Sequence, residues 1–568
     1  MSKANKREAA IERGPKSHGT GSPNVATADG PPQRVDIVLD GASLSVDVLD
    51  QYLRATESTV RVSPDVVGRV EATHDQLVEW LQEGAPIYGV TRGLGPLKDQ
   101  VLNEAEELEF QRRILVSHAT GIGPLFPDDI VRLALLIRAN VATIGTFGIR
   151  NELIERMLAV LNAGVVPQIP VLGSLGSGDL QPMAALGLVL TGNPHGRAKL
   201  GETIGSAPEI LQQAGLEPAF ELDTGEALSI ISGSTMLAAG TVHALLELRR
   251  QVALLDGAYA MTMEAVRGEI EALDPRTHAA RRMAGQIDAA RSMRSLLAGS
   301  RWTTDEGRVR MGETASRVQD SVSLRSSPHI HGSLRQVIDH ATWDLDREIN
   351  ASTLNPLVLP DNEDPSRFEI VMGGNYDGSH LAHTLDFLNI VLTDGAGLST
   401  VRTARLISTR ASYGLPENLV AGHPGLNSGL VQVQSLQLSI LGQMRQQANP
   451  ASIHSLTAKD MQEDHNSMGN SSLSGVLSNL DLFDQVLAAE FLLASHAIDL
   501  IRPNMGDLPL GTGTSAILEL IRTRVDPPGD DRLYRDDLLA VLDLVQNGEL
   551  EATIHRFTGG YRPSRSAP

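Results

Sequence analysis

The chain is expected to be mainly α, a bundle of long helices with a mixed N-terminal portion, on three observations. Apolar residues recur at three- and four-residue spacing over stretches of twenty to thirty residues. Those stretches are filled with aliphatic and small side chains, because aromatics are scarce throughout the 568 residues (Phe 9, Tyr 7, Trp 3). Strand character is confined to one segment near the N-terminus, 35–50 (VDIVLDGASLSVDVLD).

Taken in order, residues 1–34 are polar and basic, rich in Gly, Pro and Ser, and are expected to be a disordered tail. They lack the apolar core of a secretory signal. The 127–145 segment (PDDIVRLALLIRANVATIG) has helical periodicity, as do 235–260, 380–408 and 473–501. The last carries Leu477, Leu480, Phe483, Leu487, Phe491 and Ile498 and is expected to stop before Pro503. Such helices predict a bundle and are suited to subunit interfaces. The division expected is an N-terminal domain over 35–230, a central long-helix bundle over 231–525, and C-terminal helices with a frayed end, Pro563 to Pro568, over 526–568.

Composition excludes several chemistries. With no cysteine there is no disulfide scaffold, thiolate metal site or cysteine nucleophile. A formal charge of −21 and few aromatics argue against nucleic acid as a partner. Six lysines against 42 arginines is a coding bias rather than a chemical signal. No apolar run is expected to approach the ~18 residues of a membrane span, so a cytoplasmic protein is expected. His329 and His331 form an H-x-H pair without a third ligand, and no metal site is expected.

The most unusual local feature is VLGSLGSGDLQPMAALG, 171–187, with three glycines and two serines in the six residues 173–178, followed by Asp179 and Pro182. One reading is a flexible loop leading into a helix. A phosphate loop is disfavoured because the G-x-x-x-x-G-K-[ST] lysine is missing. A third reading is cyclisation: the Gly178 nitrogen attacks the Gly176 carbonyl, and loss of water, including the Ser177 hydroxyl, leaves a conjugated electrophile.

Other segments fit that third reading. YGVTRGLGPL (88–97), SHATGIGP (117–124), VQDSVSLRSSPHIHG (318–332), REINASTLNPLV (347–358), GGNYDG (373–378), PGLNSG (424–429) and QEDHNSMG (462–469) follow one another in this order. Together, over roughly 36–525, the chain resembles the aromatic amino acid lyase family: the histidine, phenylalanine and tyrosine ammonia-lyases and related aminomutases. The resemblance implies a long-helix bundle of the aromatic amino acid lyase or fumarase-like type, assembled as a homotetramer whose sites draw residues from three chains. It implies an internal 4-methylidene-imidazole-5-one (MIO) group, made here from Gly176-Ser177-Gly178, with no external cofactor. Tyr88 matches the family's catalytic base on a mobile lid, a role that needs the electropositive side of the site to lower its phenol pKa. Arg325 matches the arginine that holds the substrate carboxylate. Gln319 and Asn355 match polar lining residues, and Tyr376 stands where the family usually has Phe. Ser117-His118 and Glu463 resemble the histidine-type enzymes, in which an imidazole and a carboxylate can hydrogen-bond the substrate ring nitrogens.

The sequence departs from the family pattern near the electrophile. The glycine-rich loop is one residue shorter than Gly-Ser-Val-Gly-Ala-Ser-Gly-Asp-Leu. Val322 replaces a tyrosine, Ser232 replaces the asparagine that contacts the cofactor carbonyl, and Leu354 interrupts Ser-Asp-Asn-Pro. Three functions remain open: a carbon–nitrogen lyase acting on a small-molecule L-α-amino acid, histidine-like by its pocket; an aminomutase; and a homologue without the electrophile that serves as a binding or partner subunit.

Overall fold

The computed structural model describes residues 34–313 and 317–561; the expected tail, all but its last residue, and the expected frayed end at 563–568 lie outside the described residues. The region expected to be strand divides. Arg34–Leu39 is a strand, but Val46–Arg54 is a helix, started by Ser45, whose hydroxyl accepts from Val48 N–H. Glu57–Val62 pairs in parallel with the first strand, in register from Arg34↔Glu57 to Leu39↔Val62. The helix thus serves as the crossover that a parallel pair requires. Strand is not confined to 35–50 as expected: small antiparallel sheets lie further along the chain, one of them, Leu357–Pro360 with Phe368–Val371, within the bundle region. Ile122–Leu125 pairs with Pro170–Leu172, and Val165–Pro167, Arg197–Leu200 and Thr203–Ser206 form a three-stranded sheet.

The bundle is built from the helices Thr235–Ala265, Ser327–Glu348, Ser379–Leu406, Val431–Gln447 and Gly469–Met505. The 31-residue Thr235–Ala265 helix is buried on nearly every face, so its sequence lacks a polar stripe. With the short helix before it, the stretch 226–265 is apolar enough over an 18-residue window to pass for a membrane span, contrary to expectation; 94% of that window is buried inside the fold. Gly469–Met505 also departs from expectation by continuing through Pro503. A proline two residues from a helix end removes one hydrogen bond and leaves the last turn standing.

Buried ion pairs pin the register of these helices. Arg402 Nε and Nη2 lie 2.6 and 2.7 Å from Glu490, and Thr262 Oγ1 donates to the same carboxylate at 2.8 Å. Arg250 reaches Asp484 at 2.7 Å, and Asp256 holds both Arg335 (2.6 Å) and His331 (2.8 Å). His331 is therefore a structural residue, a neutral ring hydrogen-bonded to the Asp256–Arg335 ion pair. Among the described residues no group of three or more His, Asp or Glu could hold a metal ion.

Candidate functional site

The strand Pro170–Leu172 leads into a tight turn over 173–179, and the helix Leu180–Leu190 follows at once. In that turn Gly176 and Gly178 have φ of +82° and +71°, where a Cβ is costly, and they hold Ser177 between them. Space also demands the first glycine: a Cβ on Gly176 would lie 2.4 Å from Ser467 Oγ and 2.5 Å from the Gly469 nitrogen. The turn is stitched to the bundle from both sides. Gly178 N–H donates to the Tyr376 carbonyl at 3.0 Å, and Asp179 N–H donates to the Gly233 carbonyl at 2.6 Å. The Gly176 carbonyl accepts from Gly378 N–H (3.1 Å) and from the Ser467 hydroxyl (2.7 Å). Ser177 Oγ is buried and has no hydrogen-bond partner.

Helix N-termini converge on this turn. Leu237 N–H, in the first turn of Thr235–Ala265, donates to Asp179 Oδ2 at 2.9 Å. Gly378 is the N-cap of Ser379–Leu406, and Gly469, which opens Gly469–Met505, donates to Ser467 Oγ at 3.3 Å. Each end carries a partial positive charge, so electron density building up in the turn is stabilised. Burial pushes the Asp179 carboxyl up to about 6, against donors from Leu237 and Ser174 and the field of Arg138. Arg138, wholly buried nearby, is pushed down to about 9 by the same desolvation and donates to the Ser232 carbonyl at 2.5 Å.

Above the turn lies a cavity of about 1020 Å³, and the structure brings Tyr88, His118, Ser177, Gly178, Ser232, Asn355, Tyr376 and Glu463 together on its walls. The Tyr88 hydroxyl accepts from Gly95 N–H at 2.9 Å. Burial raises the Tyr88 phenol above its usual value and Glu463 adds to the rise, while the Gly95 donor opposes it. Within one chain the expected lowering is absent, because burial and the Glu463 carboxylate both raise the phenol. His118 Nδ1 bonds the Ile114 carbonyl at 2.9 Å and Ser117 Oγ at 3.0 Å. Burial keeps this imidazole below the usual histidine range. A neutral ring that donates from Nδ1 presents Nε2 as an acceptor. Asn355 Oδ1 accepts from Gly373 N–H at 2.7 Å, which orients its amide.

Two expected residues are not on these walls. Gln319 and Arg325 belong to the segment around the short helix Val322–Arg325, and neither lines the cavity of the single chain. Val322, which replaces the family tyrosine, is 57% exposed there. The structure also adds residues that sequence reasoning missed. Lys459 lines the cavity and its Nζ sits 2.6 Å from Glu463 Oε1. The available signal was its position, three residues before QEDH. Lys459, Asp460 and Met461 all have positive φ, a strained run beside the site. Ser467 lies within QEDHNSMG, but nothing local marks its hydroxyl as a partner of residue 176, 291 positions away.

The chain as a whole is similar to known proteins. A family model described as aromatic amino acid lyase matches residues 44–523. The histidine ammonia-lyase of Caldanaerobacter subterraneus subsp. tengcongensis is 33% identical over 520 residues, covering 91% of this chain and 98% of that protein. The crystal structure of histidine ammonia-lyase from Trypanosoma cruzi superposes with a TM-score of 0.80 at 30% identity, covering 92% and 95% of the two chains. Tyrosine aminomutase from Streptomyces globisporus gives 0.83 at 30% identity, covering 92% and 99%.

Proposed function

The chain belongs to the aromatic amino acid lyase family, and on that premise we propose that it eliminates ammonia from an L-α-amino acid of the histidine type. One observation carries this reading. Ser177, held between two left-handed glycines with the Gly176 carbonyl doubly hydrogen-bonded, opens onto the cavity that also holds Tyr88, His118 and Glu463.

The same turn fits MIO. Its shape is imposed by glycine conformation, its serine hydroxyl has no partner to hold it back, and its carbonyl is polarised by two donors. The loop is one residue shorter than the family pattern, and Gly176 supplies the carbonyl that alanine supplies there. When formed, the group supplies an electron-poor carbon for the substrate amine. The rest falls to side chains. With the substrate ring as an imidazolium, both of its nitrogens donate: His118 Nε2 accepts one ring N–H and the Glu463 carboxylate accepts the other. An apolar wall would leave those nitrogens unpaired at ~1–3 kcal/mol each. Tyr88 Oη removes the β-proton and needs a positive charge nearby to be ionised near neutral pH. Arg325 of a neighbouring copy is the group we assign to the substrate carboxylate and to that charge, with Gln319 beside it. The apolar side chains left half exposed on the bundle helices, Phe387, Ile390, Val401, Leu436 and Leu438 at 45–53%, support a homotetramer that covers them.

The test is purified full-length protein incubated with L-histidine, L-phenylalanine and L-tyrosine, with ammonia and the α,β-unsaturated acid measured and the intact mass recorded. Preferential release from histidine, by a chain two waters lighter than encoded, is the expected result. A β-amino acid without free ammonia replaces the lyase with an aminomutase. An unmodified, inactive chain replaces both with a binding or partner subunit.

A further inference from the structure

We propose that Ser467 is a catalytic residue for ring closure in the chain itself: its hydroxyl, with Gly378 N–H, forms an oxyanion pocket around the Gly176 carbonyl oxygen. The proposal rests on the MIO reading above and extends it to how the group is made.

Ring closure needs an amide nitrogen, a poor nucleophile, to add to an amide carbon, a poor electrophile. A C–N bond forms between Gly178 N and Gly176 C, the carbonyl π pair moves onto the Gly176 oxygen, and the Gly178 N–H proton leaves. The oxyanion takes up the Gly178 proton and then the Ser177 N–H proton and departs as the first water, its C–O bond replaced by a C=N bond between Gly176 C and the Ser177 nitrogen. The second water is lost from Ser177, as the Cα proton and the Oγ hydroxyl. No oxidant or co-reactant enters.

The structure is arranged for that first step before it happens. The Gly178 N–H already points at a carbonyl acceptor, Tyr376 O at 3.0 Å. The carbonyl to be attacked already has both donors in place, Ser467 Oγ at 2.7 Å and Gly378 N at 3.1 Å, within the range useful for oxyanion stabilisation. Ser467 is itself polarised, since Gly469 N–H donates to its oxygen at 3.3 Å from the start of a 37-residue helix. The serine is 2% exposed, so its bond is made away from competing water. Gly176 is what lets it approach: a methyl there would lie 2.4 Å from the Ser467 oxygen.

Removing one oxyanion donor costs ~10²–10³-fold in rate. Full-length S467A and S467C should therefore close their ring at least ~10²-fold more slowly than wild type, read as a time course of intact mass after cell-free synthesis. The fold is checked by circular dichroism. S467C keeps the shape and replaces the hydroxyl with a weak donor, so it covers the case in which S467A does not fold. Loss of two waters at the wild-type pace in either folded variant overturns the role of Ser467 while leaving the MIO reading intact. A wild-type chain that never loses two waters overturns the underlying reading instead.

Discussion

A methyl group at residue 176 has nowhere to go, although alanine is what the family carries at this point. Installing it with Gly176→Ala forces a side chain into the left-handed region, at ~1–2 kcal/mol, and against the oxygen and nitrogen of Ser467 and Gly469. The family-like triad should thus mature worse than Gly-Ser-Gly, with a larger unmodified fraction by intact mass and a lower denaturation midpoint. A G176A protein that matures faster would show that the loop shape is wrong. Lys459 makes a second residue-scale prediction. Its ammonium is among the causes holding His118 down, behind burial, while Glu463 opposes it. Lys459→Met should raise the His118 pKa, so that the acid limb of the pH–kcat/KM profile moves to higher pH. An unmoved limb would mean that His118 is not the group titrating there. Tyr88→Phe, which leaves ring packing alone and removes the proton acceptor, should lower kcat by ~10²–10⁴-fold with little change in intact mass.

At the scale of elements, the long helices were legible in the sequence because their periodicity runs for many turns, and each segment read as helical is one in the structure. What local patterns missed was decided elsewhere. Val46–Arg54 becomes a helix inside an apparently strand-like stretch because its capping serine and its position between two parallel strands outweigh β-propensity. Pro503 does not stop its helix, since packing along the preceding turns holds the last one. The mutual placement of helices depends on buried charges that no periodicity reveals. Arg402 and Glu490 are both fully buried and bind each other across the bundle. Arg402→Met strands the Glu490 carboxylate and should cost ~3–5 kcal/mol in denaturant unfolding. The double variant R402M/E490M should recover much of that loss, because two apolar residues can replace a buried pair. Equal losses in the single and double variants would show that the pair's charge is not what Arg402 contributes.

For the whole molecule, the candidate site could be only half read from sequence, because it is assembled from segments that meet through folding. Tyr88, His118, Tyr376 and Glu463 carry recognisable motifs and do meet on one cavity. Lys459 and Ser467 act through contacts made in space, and Gln319 and Arg325 stay off the single chain's walls. The same long-range packing buries titratable groups, and this gives the molecule a pH dependence with a definite sign. Burial pushes Glu264 up to about 7 even though Gly511, Thr514 and Ser300 donate to it, and pushes Glu551 up to about 7 and Asp179 to about 6. A carboxyl held above its unfolded value favours the folded state while protonated. That contribution is complete below about 4.5, the ordinary Glu value, and is lost as pH rises through about 7. His331, His496 and His555 act oppositely. Burial lowers them to about 4, about 3 and about 4, so their contribution is complete above the ordinary value of 6.5 and is lost as pH falls. Stability should therefore fall on both sides of a maximum, and Glu264→Gln separates the two limbs. The amide keeps an acceptor for part of the Gly511, Thr514 and Ser300 cluster but cannot ionise. Its thermal midpoint should gain on wild type steadily from about pH 5 to about pH 8 while the acid limb stays unchanged. A gap between the two proteins that is constant with pH would show that Glu264 is not the proton-linked group.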